Sequence, residues 1–411
     1  MREGTCPVCS SKNISLFLNL GPQPPANGFA LNNLSSISVA KYELFLMICL
    51  ECLYVWLGST VSANELFTEN PYLTGTSAET QLDMRNLVND CLGTCSSDNP
   101  KRVIDIASND GTLLDLFRNE GFEIMGIDPS KPAYEISKSR GIPTINDFFG
   151  ADITDKILSS FGKADVVTGT NIITHVENPI EFLNNCKRLL KSKGSIVLEF
   201  YNFDYIISNN AFDQIYHEHI SYFNFTTFVR LVKRLDLEAY KVEEVHAQGG
   251  SLRVFLSIPG RYKVDESVVE LLKLEGGPDE IKKRFLSFPK KVNKHKDEIL
   301  NLLREKSEMG LKIAGYGASA KATVLLNYLK LSSKEIIAIA DKSQTKQGKF
   351  VPGVGVPVVS PMELVELRPD LVVIFAWNLK DEITKVLNEL FGYKVSTVTF
   401  MPKIILSYGN S

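Results

Sequence analysis

The chain is short of histidine, of any dominant charge and of any long apolar run, and each shortage argues against a class of function. Lysine and arginine number 45 against 48 aspartate and glutamate, a net charge of -3. Neutralising a run of phosphates needs a basic face, and this balance advertises none, so a dedicated nucleic-acid binder is disfavoured and only local basic spots remain open. The most apolar run, LFLMICLECLYVWLG from Leu44, is short for a bilayer span and carries Glu51, which argues against a membrane protein. The N-terminus lacks a charged segment leading into an apolar core, which places the protein in the cytoplasm. With no export signal, the seven cysteines point to reduced thiols or metal ligands, not disulfides. No long exposed apolar helix calls for a partner subunit, and the expectation is a monomer.

What is present is enough for two or three domains: 411 residues, 44% apolar and 23% charged, with neither fixed repeats nor low-complexity tails. The first segment, to about Tyr72, is rich in turns and includes the connector GPQPPANG at Gly21 to Gly28. From about Ala78 to Pro259, the strand-like runs RVIDIA, EIMGID, ADVVTGT and SIVLEF alternate with amphipathic stretches, which predicts a parallel sheet with crossover helices. LEAYKVEEV and SLRVFLSI flank AQGG at Ala247 to Gly250, so that sheet should end in a hairpin. A Lys-rich helix from about Pro278 to Met309 leads to LKIAGYG, IIAIAD, LVVIFA and KVSTVTF, a second, smaller α/β sheet. The expected domains are 1–72, 73–300 and 301–411.

Cys6 and Cys9 form one Cys-x-x-Cys knuckle, and Cys49 and Cys52 a second. Four thiolates suit tetrahedral zinc, and so small a segment would otherwise struggle to bury a core. With all four positions used, none is left for a catalytic water, so one structural zinc per chain is expected. Cys91, Cys95 and Cys186 read as ordinary small residues. In VIDIASNDGTLLDLF a strand runs into Ala107, Ser108, Asn109, Asp110 and Gly111 and then a helix, a turn that sets backbone amides against a ligand. It lacks a full GxGxxG, which makes pyrophosphate binding there a poor fit. The next strand ends at Asp128, placed to accept from ribose hydroxyls, and Asp147 with Phe148 and then Asn171 follow at later strand ends. An acidic ribose clamp without a phosphate cradle suits S-adenosylmethionine better than NAD. The candidate donor-binding residues are Asp105, Ala107, Asn109, Gly111, Asp128, Asp147, Phe148 and Asn171; taken singly, each could be a turn residue of any doubly wound sheet.

Two of only five histidines fall in FDQIYHEHISYF, Phe212 to Phe223. His217 and His219 share a face only in extended chain, unlike the helical HExxH of zinc proteases. A metal site, a satisfied structural pair and a proton-transfer site all remain open from these residues alone. In the last segment, Gly315, Gly317 and Lys321 sit on a strand-to-helix turn with Asp341 ending the next strand. Contact with a nucleotide diphosphate, a structural Rossmann turn and an NAD site are the three readings there.

Taken in order, the paired knuckles, VIDIASNDG, NIITHVENP, DQIYHEHISYF, AQGGSLRV, GYGASAKATVLLNY and DKSQTKQGKFVPG resemble the zinc-containing, S-adenosylmethionine-dependent sugar C-methyltransferases of deoxysugar biosynthesis. The resemblance implies a class I methyltransferase-like doubly wound sheet flanked by an N-terminal zinc-binding domain and a C-terminal Rossmann-like domain. It also implies methyl transfer to carbon, most often C3, of a nucleotide-diphosphate-linked 4-keto sugar. His219 matches that family's general base, with Tyr216 and Glu218 beside it; His175 matches a second active-site histidine and Tyr72 a tyrosine reaching the sugar. Gly249, Gly250 and Ser251 match its motif after the hairpin turn. On this reading a base near the α carbon makes an enolate, Glu218 or a tyrosine orients His219, and His175 or Tyr216 donates to the enolate oxygen. Lys321 and Arg253 would balance the phosphate charge. The alternative is an NAD-dependent sugar-nucleotide oxidoreductase or epimerase with the zinc domain as scaffold; a non-enzymatic zinc adaptor is disfavoured by the few Lys and Arg of the knuckle segment.

Overall fold

The computed structural model describes residues 4–68, 73–76, 78–94, 100–245 and 250–409, so Tyr72, Cys95 and Gly249 lie outside the described residues. Strands β1 (Ile14–Gln23), β2 (Tyr42–Cys49) and β3 (Val55–Leu57) form an antiparallel meander over the knuckles. Strands β4 (Arg102–Ile106), β5 (Glu123–Ile127), β6 (Thr144–Ile145), β7 (Ala164–Thr170) and β8 (Leu190–Tyr201) build the parallel part of a second sheet. The chain then returns to the first sheet, where β9 (Ser221–Tyr222) pairs antiparallel with β3. Strands β10 (Glu238–Val245) and β11 (Ser251–Ser257) make the expected antiparallel pair and complete a seven-stranded sheet of order 10-11-8-7-4-5-6. The order reverses between β4 and β7, and at such a switch point the strand ends open a crevice.

The local signals agree with this architecture. Strands β7 and β11 are apolar-rich and buried along nearly their whole length, as strands covered on both faces must be. Ser130, Asn178 and Asn224 each accept a backbone N–H at the start of the following helix, so these helices around this sheet carry side-chain caps. The third sheet uses β12 (Ile313–Tyr316), β13 (Ile339–Ala340), β14 (Val358–Val359), β15 (Leu371–Ile374), β16 (Thr397–Thr399) and β17 (Ile405–Ser407), in the order 14-13-12-15-16-17.

Helix Pro278–Glu308, at 31 residues, buries Ile281, Phe285, Phe288, Val292, Ile299 and Leu303 along one stripe. These side chains join one apolar core that also takes in Leu44 and Leu46 of the first sheet and Val373 of the third. The first and third sheets are thereby packed together around the loop between β8 and β9. Among the described residues no helix is long and apolar enough to cross a membrane.

Candidate active site

The four knuckle thiols come together: every pair of their Sγ atoms lies within 4.8 Å. Cys6 and Cys52 are 3.6 Å apart and Cys9 and Cys49 3.5 Å, close to the ~3.8 Å edge of a tetrahedron with zinc–sulfur bonds of about 2.3 Å. The two knuckles are the same turn: Ser10 N–H donates to the Cys6 carbonyl and Leu53 N–H to that of Cys49, each at 2.9 Å, with both residues at positive φ. Arg230 and Arg234 line the surface beside Cys9 and Cys52, where they offset the negative charge of a four-thiolate site. The donor set fits a closed structural zinc, which would hold the knuckles together and leave no position for a reacting water.

A separate cavity of about 1430 Å³ opens at the switch point and is walled by all three sheets' loops. Its floor includes Ala107, Asn109, Asp128, Asp147, Phe148 and Asn171. Ala107, Asn109 and Asn171 hold φ of 60°, 51° and 61°, so the loop takes left-handed conformations with little help from glycine. Asp128 accepts Asn109 N–H and Ser130 N–H at 2.8 Å each, which fixes the loop against the end of β5, and burial raises its pKa. Asp110 and Asn109 in turn accept the N–H groups of Gly75 and Thr74 at 2.9 and 2.8 Å, fastening the segment that enters from the zinc domain. The buried Asn171 Oδ1 has no hydrogen-bond partner among the described residues, an open acceptor that suits the ammonium end of S-adenosylmethionine.

Two of the predicted donor residues do not reach this floor. Asp105 points into the sheet, where it accepts the Thr168 hydroxyl at 2.7 Å and burial pushes its carboxyl up to about 7. Gly111 is the N-cap of helix Thr112–Asn119 at φ +76°, and a Cβ there would lie 2.4 Å from Ile142 Cδ1, so its role is the turn itself.

The HEH loop is held from three sides. Leu57 of β3 donates its N–H to the Ile220 carbonyl at 2.8 Å, Ser221 donates to the Thr174 carbonyl at 3.0 Å, and Trp377 Nε1 donates to Asp213 at 2.9 Å. Burial pushes the Asp213 carboxyl up to about 6. His219 packs 4.0 Å from the Tyr216 ring, 5.2 Å from His175 and 5.1 Å from Tyr201, centroid to centroid. Its Nδ1–H donates to the Gln214 carbonyl at 2.8 Å, which leaves the Nε2 lone pair as the acceptor. Burial first, then the neighbouring His175, drives its pKa well below the ordinary 6.5, so the imidazole is neutral near pH 7.

Two sequence expectations are corrected here. The Gln214 carbonyl, not Glu218, orients His219; Glu218 instead accepts from Asn27 Nδ2 at 2.8 Å. His175 Nδ1–H donates to the Glu218 backbone carbonyl at 2.6 Å, and burial lowers its pKa to about 4, so its Nε2 is an acceptor with no proton to give an enolate. His217 is turned away toward the zinc domain and bonds the Tyr42 carbonyl at 3.3 Å, which separates the two histidines of HEH and removes the metal reading.

At the other end of the cavity stand Ser319, Lys321, Lys342, Ser343, Lys346 and Lys349. Gly315 and Gly317 shape that turn without lining it, Gly317 at φ +93° with the Ala376 backbone 3.4 Å from where a Cβ would sit. Ser251 lines the cavity, whereas the neighbouring Gly250 lies against the Tyr205 ring. Arg253 is a correction: it is 3% exposed and committed to Glu199 at 2.6 Å, Asp90 at 3.2 Å and Glu243 at 3.4 Å, so it has no free face for a phosphate.

Comparison with known proteins matches the whole organisation in order. Residues 6–67 match the family described as "Putative zinc binding domain", residues 78–242 the "Methyltransferase domain" and residues 246–402 the "C-methyltransferase C-terminal domain". The C-methyltransferase NovU of Streptomyces niveus is 28% identical over 380 residues, 92% of this chain and 90% of its own. Together these matches make the chain an S-adenosylmethionine-dependent C-methyltransferase with a zinc-binding N-terminal domain. That sets aside the oxidoreductase alternative. This C-methyltransferase also resembles the ubiquinone biosynthesis O-methyltransferase of Vibrio parahaemolyticus serotype O3:K6, 26% identical over 23% of this chain and 42% of that protein. Among solved structures, magnesium protoporphyrin IX methyltransferase from Synechocystis PCC 6803 aligns at 11% identity and a TM-score of 0.33, covering 43% of this chain and 79% of that one.

Several cavity residues of the C-methyltransferase were not singled out in its sequence: Asn27, Glu199, Tyr201, Lys342, Lys346 and Lys349. The lysines had a usable signal, three cations within the eight residues of KSQTKQGK directly after a strand-ending Asp. Asn27 had none, since its partner Glu218 is 191 positions away.

Proposed function

We propose that this C-methyltransferase methylates carbon, most readily C3, of a nucleotide-diphosphate-linked 4-keto deoxysugar. The observation that carries the reading is the neutral, buried His219, whose Nδ1–H is tied to the Gln214 carbonyl so that its basic nitrogen is the one left for a substrate. An ordinary sugar carbon is no nucleophile, but the carbon beside a ketone becomes one when a base removes its proton. His219 takes that proton at Nε2. Tyr216 and Tyr201, which flank His219, supply hydroxyl donors for the oxygen that gathers charge, a contribution of about 3 kcal/mol per donor in comparable sites. Tyr72 is the tyrosine that the family resemblance assigns to the sugar, and Ser251 bounds the sugar at the methyltransferase sheet.

S-adenosylmethionine supplies the methyl group as an electrophilic sulfonium. Asp128 takes the ribose hydroxyls, Asp147 and Phe148 border the adenine, and Asn171 with Ala107 and Asn109 holds the amino-acid end. At the opposite end Lys321, Lys342, Lys346 and Lys349 hold the diphosphate, so that the sugar lies between the two anchors and the reacting atoms are aligned. Such an enzyme works in the cytoplasm, where nucleotide sugars and methyl donor are made. The test is incubation with labelled methyl donor and a panel of nucleotide-linked 4-keto sugars, with the label located by NMR. Label on carbon next to the ketone is expected; label on oxygen, or transfer to the 4-hydroxy sugar as readily as to the ketone, would overturn the proposal.

A further inference from the structure

We propose that Asn27, carried by the zinc-binding domain, is a positioning residue of the acceptor site: its amide fixes the Glu218 carboxylate so that the second carboxylate oxygen receives a hydroxyl of the sugar. The inference deepens the function proposed above and rests on it. Asn27 Nδ2 donates to Glu218 Oε1 at 2.8 Å across 191 positions of sequence, and both residues wall the cavity. Among the described residues Asn27 is the only side chain bonded to that carboxylate. Glu218 is 9% exposed, and a carboxylate taken so far from water needs its acceptor capacity filled. One oxygen is served by the protein, and the other stands on the wall of a cavity that accommodates a polyhydroxylated ligand.

The segment bearing Asn27 is itself anchored. Ala30 N–H donates to the Phe350 carbonyl at 3.1 Å and Phe350 N–H returns to Ala30 at 2.8 Å, while Lys346 Nζ lies 5.5 Å over the Phe29 ring. The amide is thus aimed from a connector pinned to the C-terminal unit, on the same side as the lysine cluster. Its neutrality matters. A cation there would neutralise Glu218, whereas an amide orients the carboxylate and leaves its charge available to a hydroxyl donor.

The titratable groups that share the cavity wall with Glu218 are Tyr216 and His219 on its own loop, Asp83, Asp128, Asp147, His175, Glu177, Glu181, Glu199 and Tyr201 from the methyltransferase unit, and Lys321, Lys342, Lys346 and Lys349 from the C-terminal unit. Burial pushes the Glu218 carboxyl up to about 7, and the Asn27 hydrogen bond opposes that rise. Removing the amide therefore moves the titration upward, and at pH 7 less of Glu218 is ionised.

The test compares wild type with Asn27→Ala, Asn27→Asp and Glu218→Gln, measuring acceptor KM, kcat and donor Kd from pH 6 to 9. Asn27→Ala is expected to raise acceptor KM about tenfold at pH 7 and shift its acidic rise to higher pH, with kcat within about threefold and donor Kd unchanged. The isosteric Asn27→Asp, which sets a second anion against Glu218, is expected to raise KM further, and it carries the test should Asn27→Ala lose its fold. In the Glu218→Gln background, Asn27→Ala should cost little more. Wild-type KM and pH profile in both Asn27 variants, or losses that add fully to those of Glu218→Gln, would overturn the assignment while leaving the proposed function intact. A wild-type enzyme that methylates none of the 4-keto nucleotide sugars would overturn both.

Discussion

Replacing His219 by alanine tests the centre of the chemistry. The substitution removes the Nε2 lone pair, the hydrogen bond to the Gln214 carbonyl and the face that packs 4.0 Å from Tyr216. A positioned base contributes roughly 10²- to 10⁴-fold to proton transfer, so kcat should fall about a thousandfold, ~4 kcal/mol of barrier at about 1.4 kcal/mol per decade. The Gln214 carbonyl, left without its donor in a buried setting, should cost about 1–3 kcal/mol of stability and lower Tm by several degrees. Donor binding should be unaffected, because the proposed donor residues sit in the turns that follow β4, β5, β6 and β7. The assay has two arms: label transfer from the methyl donor, and exchange of the acceptor's α hydrogen in D2O without donor. Both should collapse together, and added imidazole should restore part of the exchange. Turnover within tenfold of wild type, or exchange that continues unchanged, would refute the assignment of the base.

Asp128→Asn replaces a carboxylate that already accepts two backbone N–H groups, and is expected to weaken donor binding about tenfold by calorimetry while the fold persists. Because the His219 pKa is driven well below 6.5, the acid limb of kcat/KM should sit near pH 7, where Glu218 takes its proton, and Glu218→Gln should abolish that limb. Metal analysis should give one zinc per chain, and Cys49→Ser should lower both zinc content and Tm. Lys346→Ala and Lys349→Ala should raise acceptor KM severalfold and flatten its dependence on salt, with kcat little changed. Arg253→Met should cost about 3–5 kcal/mol of stability, because it strands the buried Glu199, and a loss confined to acceptor KM would contradict its structural role.

The parts of this enzyme that were legible in its sequence are those whose physics is local. Paired Cys-x-x-Cys knuckles, strands such as ADVVTGT that are buried on both faces, and the turn of small polar residues after β4 each declare themselves within a short window. Six strands of the seven-stranded sheet followed from the alternation of such windows, and so did its antiparallel end, whereas the two-residue β6 is too short to show a pattern. What stayed hidden depends on which side of an element meets which neighbour. Arg253 looked free because a strand sequence does not say that Glu199 and Glu243 flank it on the adjoining strands. Glu218 looked like the partner of His219 because it is adjacent in sequence, yet the backbone turn hands His219 to Gln214 and sends Glu218 across to Asn27. Tautomers were equally beyond reach, since they follow from a carbonyl's position and not from residue type.

The pairing of Ser221–Tyr222 with Val55 and Trp56 has a consequence for anyone recombining these enzymes. The zinc-bearing meander ends on an edge that only a hairpin-length excursion from the middle of the polypeptide covers. A chimaera that exchanges the first 67 residues alone would bring a foreign edge against a native capping strand. Exchanging residues 202–224 along with it keeps the seam intact, so the smallest transferable module is discontinuous in the gene.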